Sequence, residues 1–176
     1  MNKYCIILCG GGGKTTLFNK YPHKFVDIDY FIWNRLKKKK LKNLENYIEI
    51  NNIPKISEFY KFEMINNEEL RNDKRIILTH HPNNSDLLNR NILGIYRPIK
   101  DLHEKNIKNR YEKIKILSRN DWNNLTKYNY TEFNNYNELE NLIFQSLSES
   151  STSLPSDSSS DPESPESSSV SSATNE

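Results

Sequence analysis

Tyr4-Cys5-Ile6-Ile7-Leu8-Cys9-Gly10-Gly11-Gly12-Gly13-Lys14-Thr15-Thr16 is the stretch on which the fold of this chain turns. A short apolar run of buried-strand character gives way to consecutive glycines, and Lys-Thr-Thr then opens a helical stretch ending near Lys20. Strand, glycine turn and helix start, in that order, make a cradle for the phosphates of a nucleotide. Glycines let backbone N–H groups crowd around phosphate oxygens with no Cβ in the way. The helix start adds its unpaired N–H groups and the positive end of its dipole. In such a cradle Gly10, Gly11, Gly12, Gly13 and Thr16 line the loop, Lys14 reaches the β- and γ-phosphates, and the Thr15 hydroxyl takes a place on Mg²⁺.

The spacing departs from G-x-x-x-x-G-K-[ST], because Leu8 stands where the first glycine falls. Either Leu8 replaces that glycine, or the loop is two residues shorter and starts at Gly10. Both accounts put the completeness of the nest around the β-phosphate in question. The plain alternative is a strand-to-helix turn with no ligand.

Outward from this loop, strands alternate with helical stretches. Lys24–Asp29, Arg75–Thr79, Ile92–Tyr96 and Tyr130–Phe133 read as further strands. Helical patterns cover Tyr30–Asn52, Ile56–Leu70 (starting near Ser57), Asp86–Asn91, Lys100–Ile116 and Asn137–Ser146. Ser118 with Asp121 has the spacing of a capping box. Strands separated by helices imply an α/β fold, a three-layer α/β/α domain with a mostly parallel five-stranded sheet.

Composition divides the chain. From Ser148 to Glu176 it is roughly half serine, with Pro155, Pro162 and Pro165 and no Lys or Arg. Such a segment buries too little apolar surface to offset its conformational entropy and is expected to be a disordered acidic tail, residues 148–176. The folded domain is then residues 1–147. It holds all 25 Lys and Arg against 17 of the 23 acids, a net +8, and the tail carries −6. A basic body suits phosphate-rich ligands, and an acidic tail can compete with them for its positive face. In the tail, Ser158 and Ser160 each precede an acid by three residues, so the tail is a candidate for phosphorylation or partner binding. The cysteines Cys5 and Cys9 fit neither a disulfide framework nor a zinc pattern. No signal peptide and no membrane-length apolar segment is read, and the expectation is a cytoplasmic protein.

Asp27-Ile28-Asp29 forms the second constellation. At the carboxyl end of a parallel strand both carboxylates can face the ligand crevice, where a metal-bound triphosphate needs acids to hold Mg²⁺ or to take a proton from an attacking hydroxyl. The plainer role for Asp29 is to cap the helix that follows.

Taken together, Ile6–Leu17 and Phe25–Ile32 resemble the small P-loop kinases, among them shikimate kinase and the polynucleotide-kinase-type P-loop domains. The resemblance is strongest over Tyr4–Trp33 and thinner along Arg75–Arg110 and Tyr130–Ser146. It implies ATP (or another NTP) and Mg²⁺ as cofactors, with Asp27 on the metal side and Asp29 as the candidate general base. It also implies a lid helix after the fourth strand, for which Arg110 is the arginine, with Lys105 and Lys108 beside it. The expected activity is transfer of the ATP γ-phosphoryl group to a hydroxyl or phosphate acceptor: a nucleoside, nucleotide, polynucleotide end or small metabolite.

Two further features stand apart. His80-His81-Pro82 at the exit of the third strand reads as turn-forming, with substrate contact the other reading for His80. The lysine run Lys37–Lys40 with Lys42 is a solvated helix face or a weak nucleic-acid contact, with Trp33 and Tyr30 as nearby stacking groups. From these comes a different class of function: a nucleotide- or nucleic-acid-binding regulatory or assembly protein without catalysis.

Overall fold

Side-chain alternation along the first strand sets the layering. In the computed structural model, which describes residues 3–152, Cys5, Ile7 and Cys9 enter one apolar cluster while Ile6 and Leu8 enter another. The strand (β1, Tyr4–Leu8) is therefore covered on both faces, which is why it reads as an unbroken apolar run.

The other elements follow as α1 (Lys14–Lys20), β2 (Phe25–Asp27), α2 (Ile28–Arg35), α3 (Lys38–Glu49), α4 (Ile53–Asn66) and α5 (Glu68–Asn72). After them come β3 (Ile76–Thr79), α6 (Asn84–Leu88), β4 (Asn91–Pro98), α7 (Lys100–Ile107) and α8 (Glu112–Asn124). A 3-10 turn (Leu125–Lys127), β5 (Thr131–Phe133) and α9 (Tyr136–Thr152) complete the chain. The sheet runs β2-β3-β1-β4-β5, and every pairing is parallel. This is the α/β architecture expected from the alternation of strands and helices.

Only the β1-to-β2 crossover travels toward the β2 edge; the later ones all travel toward β5. A single crossover hand therefore puts α1 on one face and α2 to α6 on the other, while Leu102 of α7 packs on the α1 side. The clusters agree: Leu17 of α1 packs with Leu139 and Ile143 of α9, whereas Ile32, Met64, Leu70 and Leu88 share the opposite layer. The connections from neighbouring β1 and β4 leave in opposite directions, so a topological switch point lies at their carboxyl ends, where the glycine loop begins.

Several boundaries differ from the sequence reading. β2 stops at Asp27, whose carboxylate accepts the Asp29 N–H (3.1 Å) and starts α2, so Asp29 is helical rather than at a strand end. The expected Tyr30–Asn52 helix breaks where Leu36 and Lys37 turn extended. α4 begins at Ile53, not near Ser57, because Asn52 caps it by accepting the Lys55 N–H. The expected Lys100–Ile116 helix divides into α7 and α8. Ser118 and Asp121 form no capping box: both lie inside α8, and the Ser118 hydroxyl donates to the Ile114 carbonyl (2.8 Å). α9 runs on to Thr152, so the expected domain end at Leu147 falls inside a helix. The remainder of the expected tail, 153–176, lies outside the described residues.

Candidate functional site

The carboxyl ends of β1, β2 and β3 bring a lysine, two aspartates and a histidine together. Lys14, only 6% exposed, folds back so that its ammonium donates to the Leu8 carbonyl (3.2 Å) and the Cys9 carbonyl (3.4 Å) and pairs with Asp29 Oδ2 at 3.3 Å. Burial opposes its charge, but Asp29 and Asp27 together raise its pKa. The Thr15 hydroxyl donates to Asp27 Oδ2 (2.8 Å) while Asp27 Oδ1 caps α2.

The two aspartates are driven apart. Burial and the Asp29 charge raise the pKa of Asp27. Burial also works against ionised Asp29, yet Lys14 and His80 outweigh it and hold that carboxyl well below the ordinary range. Asp29 therefore stays charged, with a third of its side chain open to the adjoining cavity.

His80 belongs to this cluster rather than to the turn. Its Nδ1 lies 3.5 Å from Asp29 Oδ1, and the carboxylate raises its pKa against the opposing effect of burial. The Tyr60 ring meets its imidazole edge-on, with centroids 5.5 Å apart. The Tyr60 hydroxyl in turn accepts the Trp33 indole N–H (2.9 Å). The turn role falls to His81, whose Nδ1 accepts the Asn83 N–H (3.2 Å).

Over this cluster opens a cavity of about 850 Å³. Its floor includes Gly10, Lys14, Asp29 and His80, and its walls come from α2, α3, α4, α6 and α8. Arg110 also lines it, but from the turn between α7 and α8 instead of from within a lid helix; its guanidinium donates to the Ser118 hydroxyl (3.3 Å). Lys105 and Lys108 do not line this cavity.

The glycine loop is held from above. His103 Nε2 and Asn106 Nδ2 on α7 bond the carbonyls of Gly10 and Gly11, each at 2.9 Å. The Gly12 N–H closes on the Cys9 carbonyl (2.9 Å). Gly11 and Gly13 have φ of +81° and +98°, where a side chain is strained. A Cβ on Gly11 would sit 2.7 Å from Ile107, and one on Gly13 would sit 2.6 Å from the Tyr136 ring. Tyr136 also hydrogen bonds the Thr16 side chain. Helix packing thus requires the same small residues that a phosphate would.

Other expected groups fall elsewhere. Lys37–Lys40 are exposed at the start of α3, and Lys40 pairs with Glu63 (2.6 Å). Trp33 lines the cavity, and Tyr30, half exposed, packs on Phe18. Cys5 and Cys9 are buried free thiols that burial pushes up to about 12. Among the described residues no helix is long and apolar enough to cross a membrane.

His103, Asn106, Tyr60 and Asp121 had no local signal in the sequence, since each reaches the site through contacts distant along the chain. His80 did have one, its place at a strand exit beside the loop. Compared with known protein families, with curated proteins and with solved structures, the chain matches none.

Proposed function

We propose that this chain is a P-loop-type phosphotransferase that moves the γ-phosphoryl group of Mg²⁺-bound ATP, or another NTP, to a hydroxyl or phosphate acceptor. The observation that carries this reading is the convergence of Lys14, Thr15, Asp27 and Asp29 at the edge of a cavity large enough for an acceptor.

The donor set suits the chemistry. The Thr15 hydroxyl and the Asp27 carboxylate, 2.8 Å apart, are the hard oxygen ligands that Mg²⁺ takes directly or through water. Bound metal neutralises phosphate charge. Lys14 would exchange the Leu8 and Cys9 carbonyls for phosphate oxygens, and Arg110 would meet charge on the transferring group. Asp29, freed from Lys14 and aligned by His80, would accept the proton of the acceptor hydroxyl. The acceptor oxygen bonds to the γ-phosphorus as the bridging oxygen leaves with ADP, and the proton passes from Asp29 to solvent.

Thermal denaturation of the full chain with Mg²⁺–ATP, beside Lys14→Met and Asp29→Asn, tests this. Nucleotide at 100 times its Kd should stabilise the protein by about 2.7 kcal/mol. Lys14→Met should abolish the shift. Asp29→Asn should keep it but lower phosphoryl transfer by about 10²-fold or more. No shift with any nucleotide would overturn the reading.

A second reading, a nucleotide- or nucleic-acid-binding protein without turnover, draws on the loop carbonyls tied to α7 and on Lys14 sequestered by Asp29. It expects a nucleotide shift with no transfer, and polyanion binding that falls when Lys37–Lys40 become alanine.

A further inference from the structure

We infer that the cavity receives a nucleoside whose base carries an exocyclic amine, and that Asp121 on α8 is the specificity residue accepting that amine's N–H. The inference rests on the phosphotransferase reading and names its acceptor.

Three observations lead there. First, the volume of about 850 Å³ is that of a small-molecule site, well beyond what a single metal or anion needs. Second, the walls are largely apolar and include the flat rings of Trp33 and Tyr60 beside Ile56, Met64 and Leu117. A planar base gains from such rings, and the polar side chains that share the lining, among them Asn84 and Asn124, are left for its sugar hydroxyls. Third, the Asp121 carboxylate lines this cavity with no hydrogen-bond or ion-pair partner among the described residues.

That third point selects the chemistry. An unpaired carboxylate against apolar walls accepts N–H donors and repels a carboxylate or phosphate brought to the same place. Burial raises the Asp121 pKa, and His80 and Lys14 offset this only in part. A ligand N–H at the carboxylate supplies the missing stabilisation of its charged form. Asp121, Asp29 and His80 line the same cavity, so one ligand can span from recognition at its base to reaction at its hydroxyl.

Binding of cytidine and adenosine is measured by calorimetry on the full chain, against uridine and inosine, which carry a carbonyl in place of the amine. Glucosamine serves as an amine-bearing alcohol without a base. The aminated nucleosides should bind at least tenfold tighter than their deaminated counterparts and quench Trp33 fluorescence, a quench lost in Trp33→Phe. The near-isosteric Asp121→Asn, with Asp121→Ser beside it, should cut the preference to threefold or less. A preference unchanged in both variants, no binding of any nucleoside, or binding of glucosamine in preference to nucleosides overturns the inference. Mg²⁺–ATP stabilisation of the unmodified chain is read separately, so loss of the phosphotransferase reading is distinguishable from loss of this one.

Discussion

Asp29 is held in its charged form by two cations of different kinds, Lys14 at 3.3 Å and His80 at 3.5 Å, and the histidine makes the arrangement sensitive to pH. The folded pKa of His80 is raised from 6.5, because the Asp29 carboxylate more than offsets burial. Its stabilising contribution is therefore complete below about 6.5 and fades as pH rises through the higher folded value. Asp29 has a depressed pKa, so its contribution holds above the ordinary carboxylate range and is lost as pH falls through the folded value. The pair is strongest in the window between. His80→Gln should accordingly cost more stability near pH 5.5 than near pH 9, with a difference under about 1 kcal/mol because both groups are partly solvated. Urea denaturation at the two pH values measures this, and equal costs would show that His80 is neutral in the folded protein. Asp29 is legible in the sequence from its place just after an apolar strand, whereas His80-His81-Pro82 reads as a turn. Adjacent histidines at a strand exit are locally equivalent, and only the neighbouring strand end decides which of them meets the aspartate.

The short β2 and the helix after it depend on one side chain used twice. Asp27 caps α2 through Oδ1 and receives Thr15 through Oδ2, joining two helix starts at the edge of the sheet. Asparagine keeps an oxygen for the cap and removes a charge that burial and Asp29 disfavour. Asp27→Asn should therefore stay within about 0.5 kcal/mol of the parent, while Asp27→Ala should cost about 1–2 kcal/mol by losing the cap and the Thr15 bond. Thermal denaturation without nucleotide separates these. Equal losses would mean that the carboxylate charge, not the cap, holds α2. At this scale the sequence is most legible where burial is continuous: β1 and β3 are buried apolar runs at or within a residue of their expected positions, and β4, half-buried along much of its length, still contains the expected Ile92–Tyr96. It was least legible at helix breaks. Nothing in Lys100–Ile116 marks the turn after Ile107, where the chain leaves α7 once His103, Asn106 and Ile107 have covered the glycine loop. That contact joins residues more than ninety positions apart, beyond the reach of any local pattern.

At the scale of the whole molecule, Arg90 does at the opposite end of the sheet what the glycine loop does at the carboxyl end: it gathers segments distant in sequence. It is 6% exposed, and its guanidinium donates to the carbonyls of Tyr4, Arg75, Leu70 and Asp73 at 2.5–3.3 Å. These carbonyls belong to the start of β1, the approach to β3, and α5 with its exit. Arg90 thus closes the lower edge where the α2–α5 layer returns to the sheet. Burial lowers its pKa, yet it remains a cation, since the guanidinium does not deprotonate in proteins. Arg90→Leu would leave these acceptors buried without a donor and should cost about 3 kcal/mol, or a fall in Tm of roughly 6–12 °C for a domain of this size. Arg90→Lys should fall between, because an ammonium has fewer donors and no planar fork. Arg119→Ala is the internal contrast: Arg119 also makes a two-bond pair, with Glu104, but both side chains are exposed and solvent screens the pair, so its loss should lower Tm far less than Arg90→Leu does. Thermal denaturation of the three variants checks the ordering. If Arg90→Leu and Arg119→Ala proved equal, the layer would be held by Leu70, Met64 and Leu88 packing alone, and the guanidinium would be a passenger in a core already closed by apolar contact.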